Sequence, residues 1–197
     1  MIGRLKGWLQ GGAPIEQPDD GAAAELRVLM VCTGNICRSP TAEGVLRHRL
    51  ARAGLGSRVA VDSAGTHGYH SGEPPDPRAV KAAAARGYDL RNLCARPVLL
   101  PGDYTRFDLL LAMDEDHLVW LQRKAQPGSR ARIELLMPHG RRYAGERNVP
   151  DPYYGGPAGF ERVLDLVEDA CDGLLAHLSG RLQQPAPDRP QDRSQDR

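Results

Sequence analysis

The chain has 197 residues, a formal net charge of +1 and 41% apolar residues. That length suits one ordinary domain with tails, and the apolar content is enough for a core. Its 23 Arg and three Lys are spread along the chain, which argues against nucleic acid or an anionic membrane as partner, and no run approaches the ~20 apolar residues of a membrane span.

Residues 1–24 read as a disordered or weakly structured extension, with Gly, Pro, Ala and Asp dominating from Gly11 to Ala24. Ile2, Leu5, Trp8 and Leu9 could line one face of a short helix there, although Gly3 and Gly7 weaken it. Leu26–Val31 is an apolar run expected to be a buried strand. A helix is expected from Pro40 to about Ala53, stopped by Gly54. Arg58–Asp62 reads as a second strand. Pro77–Arg86 reads as an Ala-rich helix capped by Asp76 and stopped by Gly87. Phe107–Met113 is near-continuously apolar, as in a buried parallel sheet. Asp114 then caps a helix to about Ala125, and Ala131–Met137 forms the fourth strand. Phe160, Val163, Leu164, Val167, Cys171, Leu174, Leu175 and Leu178 give the last helix an apolar stripe. Residues 181–197 are polar and Pro-rich, and read as a disordered tail.

This alternation predicts an α/β fold: a four-stranded parallel sheet with helices on both faces. Ligands of such sheets bind beyond the carboxyl ends of the strands. There, after strand one, stands Cys32-Thr33-Gly34-Asn35-Ile36-Cys37-Arg38-Ser39-Pro40. In so arginine-rich a chain Cys-x5-Arg alone is weak, and a free cysteine is usually a small core residue. The surroundings make it specific. Gly34 and Asn35 tolerate positive φ, so successive loop N–H groups can converge on an anion. Ser39 reads as an N-cap and Pro40 suits a first helical turn. The helix terminus adds partial positive charge at the same point, making the stretch a phosphate-binding loop.

With Val61-Asp62-Ser63-Ala64-Gly65-Thr66, Pro74-Pro75-Asp76-Pro77-Arg78, Met113-Asp114-Glu115 and Asp151-Pro152-Tyr153-Tyr154-Gly155 in the same order, the chain resembles the low-molecular-weight protein tyrosine phosphatase family, in its bacterial form. The resemblance covers about residues 26–180, so the phosphatase domain is expected over 25–180. It implies hydrolysis of phosphotyrosine through a cysteinyl-phosphate, without metal or other cofactor. Cys32 would be the nucleophile, since only a thiolate attacks. Arg38 would clamp two phosphate oxygens with its planar fork. Asp151 would protonate the leaving phenolate and then activate water, although an Asp before Pro152 is also an ordinary turn residue. Thr33, Gly34, Asn35, Ile36, Cys37 and Ser39 would surround the phosphate, and Tyr69, Tyr153 and Tyr154 would wall the aryl ring. Asn35, Ser39 and Ser63 resemble the family's brace behind the loop. Leu93 stands where the family often has histidine, and cannot hydrogen-bond through its side chain. Cys37 would form a reversible disulfide with the nucleophile under oxidants, which makes redox sensitivity an expectation. Asp114 reads as a helix cap rather than a catalyst. Cys94 and Cys171 read as structural.

Arsenate reductases of this fold need further cysteines after the third strand, and Leu111–Asp116 has none. Protein-arginine phosphatases of the fold resemble Cys-Thr-Gly-Asn-Thr-Cys-Arg-Ser, with Thr where this chain has Ile36, and tend to lack the tyrosine pair. A redox-sensing or phosphotyrosine-binding relic would have lost Cys32, Arg38 or Asp151. The expected partner is a phosphotyrosine protein, bacterial tyrosine kinases being candidates by analogy; a monomer or weak dimer is expected. No apolar h-region follows the first charges and the cysteines lack zinc spacing, so a reducing cytoplasm is the expected location.

Overall fold

The structure, a computed structural model, describes residues 24–183. The expected apolar face of Ile2, Leu5, Trp8 and Leu9, and most of the expected tail, lie outside the described residues. The elements run β1 (Leu26–Cys32), α1 (Arg38–Arg52), β2 (Val59–Gly65), α2 (Pro77–Ala85), α3 (Gly102–Arg106), β3 (Leu109–Ala112), α4 (Glu115–Lys124), β4 (Arg132–Leu135), a 3-10 turn (Met137–His139) and α5 (Pro157–Gln183). The strands form one sheet in the order β2-β1-β3-β4, every pair parallel.

β1 pairs along its whole length with β2, where Cys32 stands opposite Gly65, and on its other side with β3. Its alternate residues divide the core. Val28, Met30 and Cys32 pack with α1 and α5 on one face, and Leu29 and Val31 pack with α3 and α4 on the other. A strand buried on both faces has no polar side, which is why β1 reads as an unbroken apolar run. β2 and β3 leave β1 in opposite directions, so the carboxyl end of β1 is the topological switch point, the place for a ligand in an open parallel sheet.

Local chemistry sets the helix ends. Asp76 accepts the backbone N–H of Arg78 at 2.8 Å, and Gly87 takes the positive φ of 85° that follows α2. Asp114 accepts the N–H of His117 at 2.9 Å and caps α4. Gly54, at φ 71°, follows α1.

Four expectations need correction. Ser39 is not the N-cap of α1: the helix already begins at Arg38, and the Ser39 hydroxyl turns to the Cys32 sulfur instead. Gly34 does not use a positive φ; in the loop only Asn35 does, at 58°. The third strand starts at Leu109 because Phe107 ends α3, a five-residue helix too short to show periodicity. α5 continues to Gln183, past the expected start of the tail, because the Leu182 carbonyl accepts from Arg58 at 3.2 Å and its side chain packs on the core.

Candidate active site

The loop after β1 is tied down through its backbone. Thr66 N–H donates to the Cys32 carbonyl at 2.8 Å, His67 N–H to Thr33 at 3.0 Å, and Asp76 N–H to Ile36 at 2.8 Å. Gly34 leaves room for the His70 ring, which lies against the loop: a Cβ there would come within 2.9 Å of it, so the ring would have to shift. The loop then closes on the first turn of α1, and its N–H groups and the helix terminus supply positive potential. Asn35 N–H donates to Cys32 Sγ at 3.3 Å, and Ser39 Oγ lies 3.0 Å from the same sulfur.

Arg38 is buried, yet its guanidinium has two acidic partners. One Nη lies 2.6 Å from Asp114 and 3.3 Å from the Val149 carbonyl; the other lies 3.0 Å from Asp151 and 3.4 Å from the Thr33 hydroxyl. Burial alone would raise the Asp114 carboxyl, but the hydrogen bonds and charge of His117 and the charge of Arg38 outweigh it and hold it at about 2. Asp114 is therefore a permanent anion beside Arg38. His117, also buried, places Nδ1 2.7 Å from Asp114 and Nε2 2.8 Å from Thr33 Oγ1, so four side chains form a closed ring under the loop.

Asp151 arrives on a long segment between the 3-10 turn and α5. Its start is pressed onto α5, where a Cβ on Gly173 would overlap the His139 carbonyl at 1.8 Å. Asp169 then accepts the backbone N–H groups of Arg141, Arg142 and Tyr143 at 3.3, 3.0 and 3.1 Å. Val149 N–H donates to Met113 at the end of β3 at 2.8 Å. Asp151 follows two residues later, half-exposed, with one carboxylate oxygen on Arg38 and the other accepting from Tyr153 N–H at 3.1 Å.

A cleft of about 470 Å³ opens over the loop, lined by Cys32, Thr33, Gly34, Ile36, Cys37, Arg38, Tyr69, His70, Asp151, Tyr153 and Tyr154. Tyr69 stacks on His67 with centroids 5.1 Å apart, while Tyr153 and Tyr154 meet edge to face at 5.0 Å. Arg78 lies over the faces of Phe160 and Tyr153, steadying that wall. Burial pushes the Cys37 thiol up to about 12, with Asp76, Cys32 and Asp151 adding to it, so Cys37 stays a neutral thiol.

Most of the expected site residues thus meet in one cleft. Asn35 and Ser39 do not line it; with Ser63 they lie buried behind the loop, as its brace. The outer end of that brace is Glu43, into whose carboxylate Ser63 donates at 2.5 Å. Leu93, where the resemblance leads one to expect histidine, is half-buried and packs against the core. Glu43, His117, His70 and the Arg38-binding role of Asp114 were not expected from sequence. Among the described residues no cluster of His, Cys, Asp and Glu is arranged to hold a metal ion.

Known proteins share this fold. The model of the low molecular weight phosphotyrosine protein phosphatases matches residues 27–184. A low molecular weight protein-tyrosine-phosphatase of Streptomyces coelicolor is 48% identical over 153 residues, covering 76% of this chain and 92% of its own. The crystal structure of a protein tyrosine phosphatase from Entamoeba histolytica superimposes with a TM-score of 0.75 at 38% identity, over 80% of this chain and 99% of its own. An arginine phosphatase of Drosophila shares the fold with a TM-score of 0.72 at 31% identity, over 78% of this chain and 98% of its own. By the family match and by its identity to these relatives, this chain belongs to the low-molecular-weight phosphotyrosine protein phosphatases, enzymes that hydrolyse phosphoric monoesters.

Proposed function

We propose that the chain hydrolyses phosphotyrosine in proteins through a cysteinyl-phosphate formed on Cys32. The observation that carries this reading is the convergence of Cys32, Arg38 and Asp151 at the floor of a cleft walled by Tyr69, Tyr153 and Tyr154. In the first step the Cys32 thiolate forms an S–P bond as the P–O bond to the tyrosyl ring breaks, and Asp151 gives its proton to the departing oxygen. In the second, Asp151 takes a proton from water, the new O–P bond forms and the S–P bond breaks, releasing phosphate. Loop N–H groups and Arg38 hold the non-bridging oxygens as charge shifts.

The Arg38–Asp151 ion pair fits these roles. A phosphate dianion competes with Asp151 for the same Nη of Arg38. Substrate binding thus releases the carboxylate from Arg38 and leaves it free to face the departing oxygen.

Ile36 and the tyrosine pair favour an aryl ring over a phosphoguanidinium in this cleft. The deciding experiment compares hydrolysis of phosphotyrosine and phosphoarginine peptides, with Cys32→Ser as the inactive control. Faster cleavage of phosphoarginine would assign the chain the activity named for its Drosophila neighbour.

Cys37, neutral and beside the nucleophile in the cleft, serves in this proposal as a resolving thiol that traps oxidised Cys32 as a disulfide. Peroxide-treated enzyme should then recover with a reductant, and Cys37→Ser should not. Four free cysteines suit a reducing cytoplasm. Tyrosine kinases are a natural substrate class for such an enzyme in a bacterium, and a monomer or weak dimer would serve it.

A further inference from the structure

Behind the catalytic loop lies a run of side chains whose hydrogens can be assigned one by one. Asn35 Oδ1 accepts the backbone N–H of Arg96 at 2.9 Å, so its amide nitrogen faces the other way. That nitrogen donates to Ser39 Oγ at 2.9 Å and to Ser63 Oγ at 2.8 Å. A serine hydroxyl has one hydrogen. Ser63, receiving from Asn35, sends its hydrogen to Glu43 Oε2, 2.5 Å away. Ser39, also receiving from Asn35, has its hydrogen left for Cys32 Sγ at 3.0 Å or the Ala64 carbonyl at 3.4 Å, and the sulfur is the nearer.

Reversing the Asn35 amide would turn its oxygen toward both serines. Ser39 would then donate to Asn35 and lose its bond to sulfur. Two features oppose that reversal: the Arg96 N–H, and Glu43, which commits the Ser63 hydrogen elsewhere. Glu43 is only 2% exposed, and its second oxygen is held by Arg47 at 2.7 Å. Asp62 and Arg96 face it across a cavity of about 440 Å³ that Leu93 also lines. No side-chain donor stands at position 93, so the carboxylate meets Ser63 directly.

We propose that Glu43 is a positioning residue for the nucleophile: by accepting the only hydrogen of Ser63 it fixes the direction of the Asn35 amide, and so aims the Ser39 hydroxyl at the Cys32 sulfur. This rests on Cys32 being the nucleophile, as argued above. It does not depend on which phosphoester is cleaved.

The test is the rate at which iodoacetamide alkylates Cys32 in the full chain, followed on the Cys32 peptide by mass spectrometry between pH 5 and 9. Glu43→Gln keeps the shape of the side chain. Arg47 holds its amide oxygen, so the amide nitrogen faces Ser63 and drives the Ser63 hydrogen back toward Asn35. Alkylation at pH 8, where the Glu43 carboxyl is ionised and accepts the Ser63 hydrogen, should slow about tenfold. Glu43→Met, which offers no acceptor, should act in the same direction and serves if the glutamine variant is poorly folded. Either effect should vanish when Ser63 is already alanine, since no hydroxyl hydrogen is left to misdirect. An unchanged profile in both Glu43 variants would overturn the proposal, as would an equal slowing with and without Ser63. Alkylation needs no substrate, so failure to cleave phosphotyrosine would count against the proposed activity and leave this test intact.

Discussion

Asp114 holds one Nη of Arg38 at 2.6 Å, so the guanidinium is aimed by a carboxylate from the end of β3 rather than by its own loop. A buried arginine needs such a partner to remain ordered, and a fork displaced by a fraction of an ångström no longer matches a phosphate face. Asp114→Asn keeps the helix cap, because asparagine also accepts from N–H groups, but it removes the charge. kcat/KM should fall about 10- to 100-fold, roughly 1.4–2.8 kcal/mol of transition-state binding. The thermal unfolding midpoint should move by only a few degrees, and steady-state kinetics with a circular-dichroism melt read both.

Asp151 stands half-exposed at the cleft, where it can reach a leaving oxygen. Asp151→Asn should slow phosphotyrosine cleavage by about 10²–10⁴-fold, the usual worth of a positioned acid. An aryl phosphate with an acidic leaving group, which departs without a proton, should suffer far less. Equal losses on the two substrates would remove Asp151 from the acid role.

Burial pushes the Glu43 carboxyl up to about 7, with Asp62 adding to the rise, while Arg47, the Ser63 hydrogen bond and Arg96 pull against it. A carboxyl whose value is higher folded than unfolded binds more protons in the folded state. Its ionisation therefore costs stability: nothing below about 4.5, progressively more as pH rises, and the full amount above about 7. That amount is at most about 3 kcal/mol. Glu43→Gln should flatten this part of the curve, so melts between pH 4.5 and 7.5 should show the wild type losing ground to the variant. A constant difference across that range would contradict the assignment.

Asp169 gathers three consecutive backbone N–H groups at the start of the segment that carries Asp151. Asp169→Ala leaves those donors to solvent, at a cost of about 1 kcal/mol. Turnover should fall more than stability does, because the acid is displaced while the sheet is untouched. A variant with wild-type turnover would show that Val149 alone places the segment.

What the chain reveals when read residue by residue depends on distance along it. The Cys32–Pro40 loop is legible because strand, turn residues, arginine and helix start lie within one stretch, and each is a local choice. Asp76 and Asp114 are legible as caps for the same reason. The Arg38–Asp114 pair spans 76 positions and Thr33–His117 spans 84, and no local pattern marks them. Glu43 on an expected helix looks like any solvated glutamate; only the packing of β2 against α1 brings Ser63 to it. Ser39 shows the opposite failure. A serine at a helix start has a local acceptor role on offer, and here the bond to Cys32 displaced it.

The sheet also divides the two halves of the chemistry by their resistance to opening. β1, which delivers Cys32, is bonded on both edges and buried on both faces, so its amide hydrogens should exchange with solvent water only when the whole domain unfolds. The segment before α5 is held by the Asp169 carboxylate and one backbone bond from Val149 to Met113, and should exchange through small local openings. Mild heat or denaturant would then detach the acid while the thiol cradle still stands, leaving a protein that grips phosphate but releases phenol slowly.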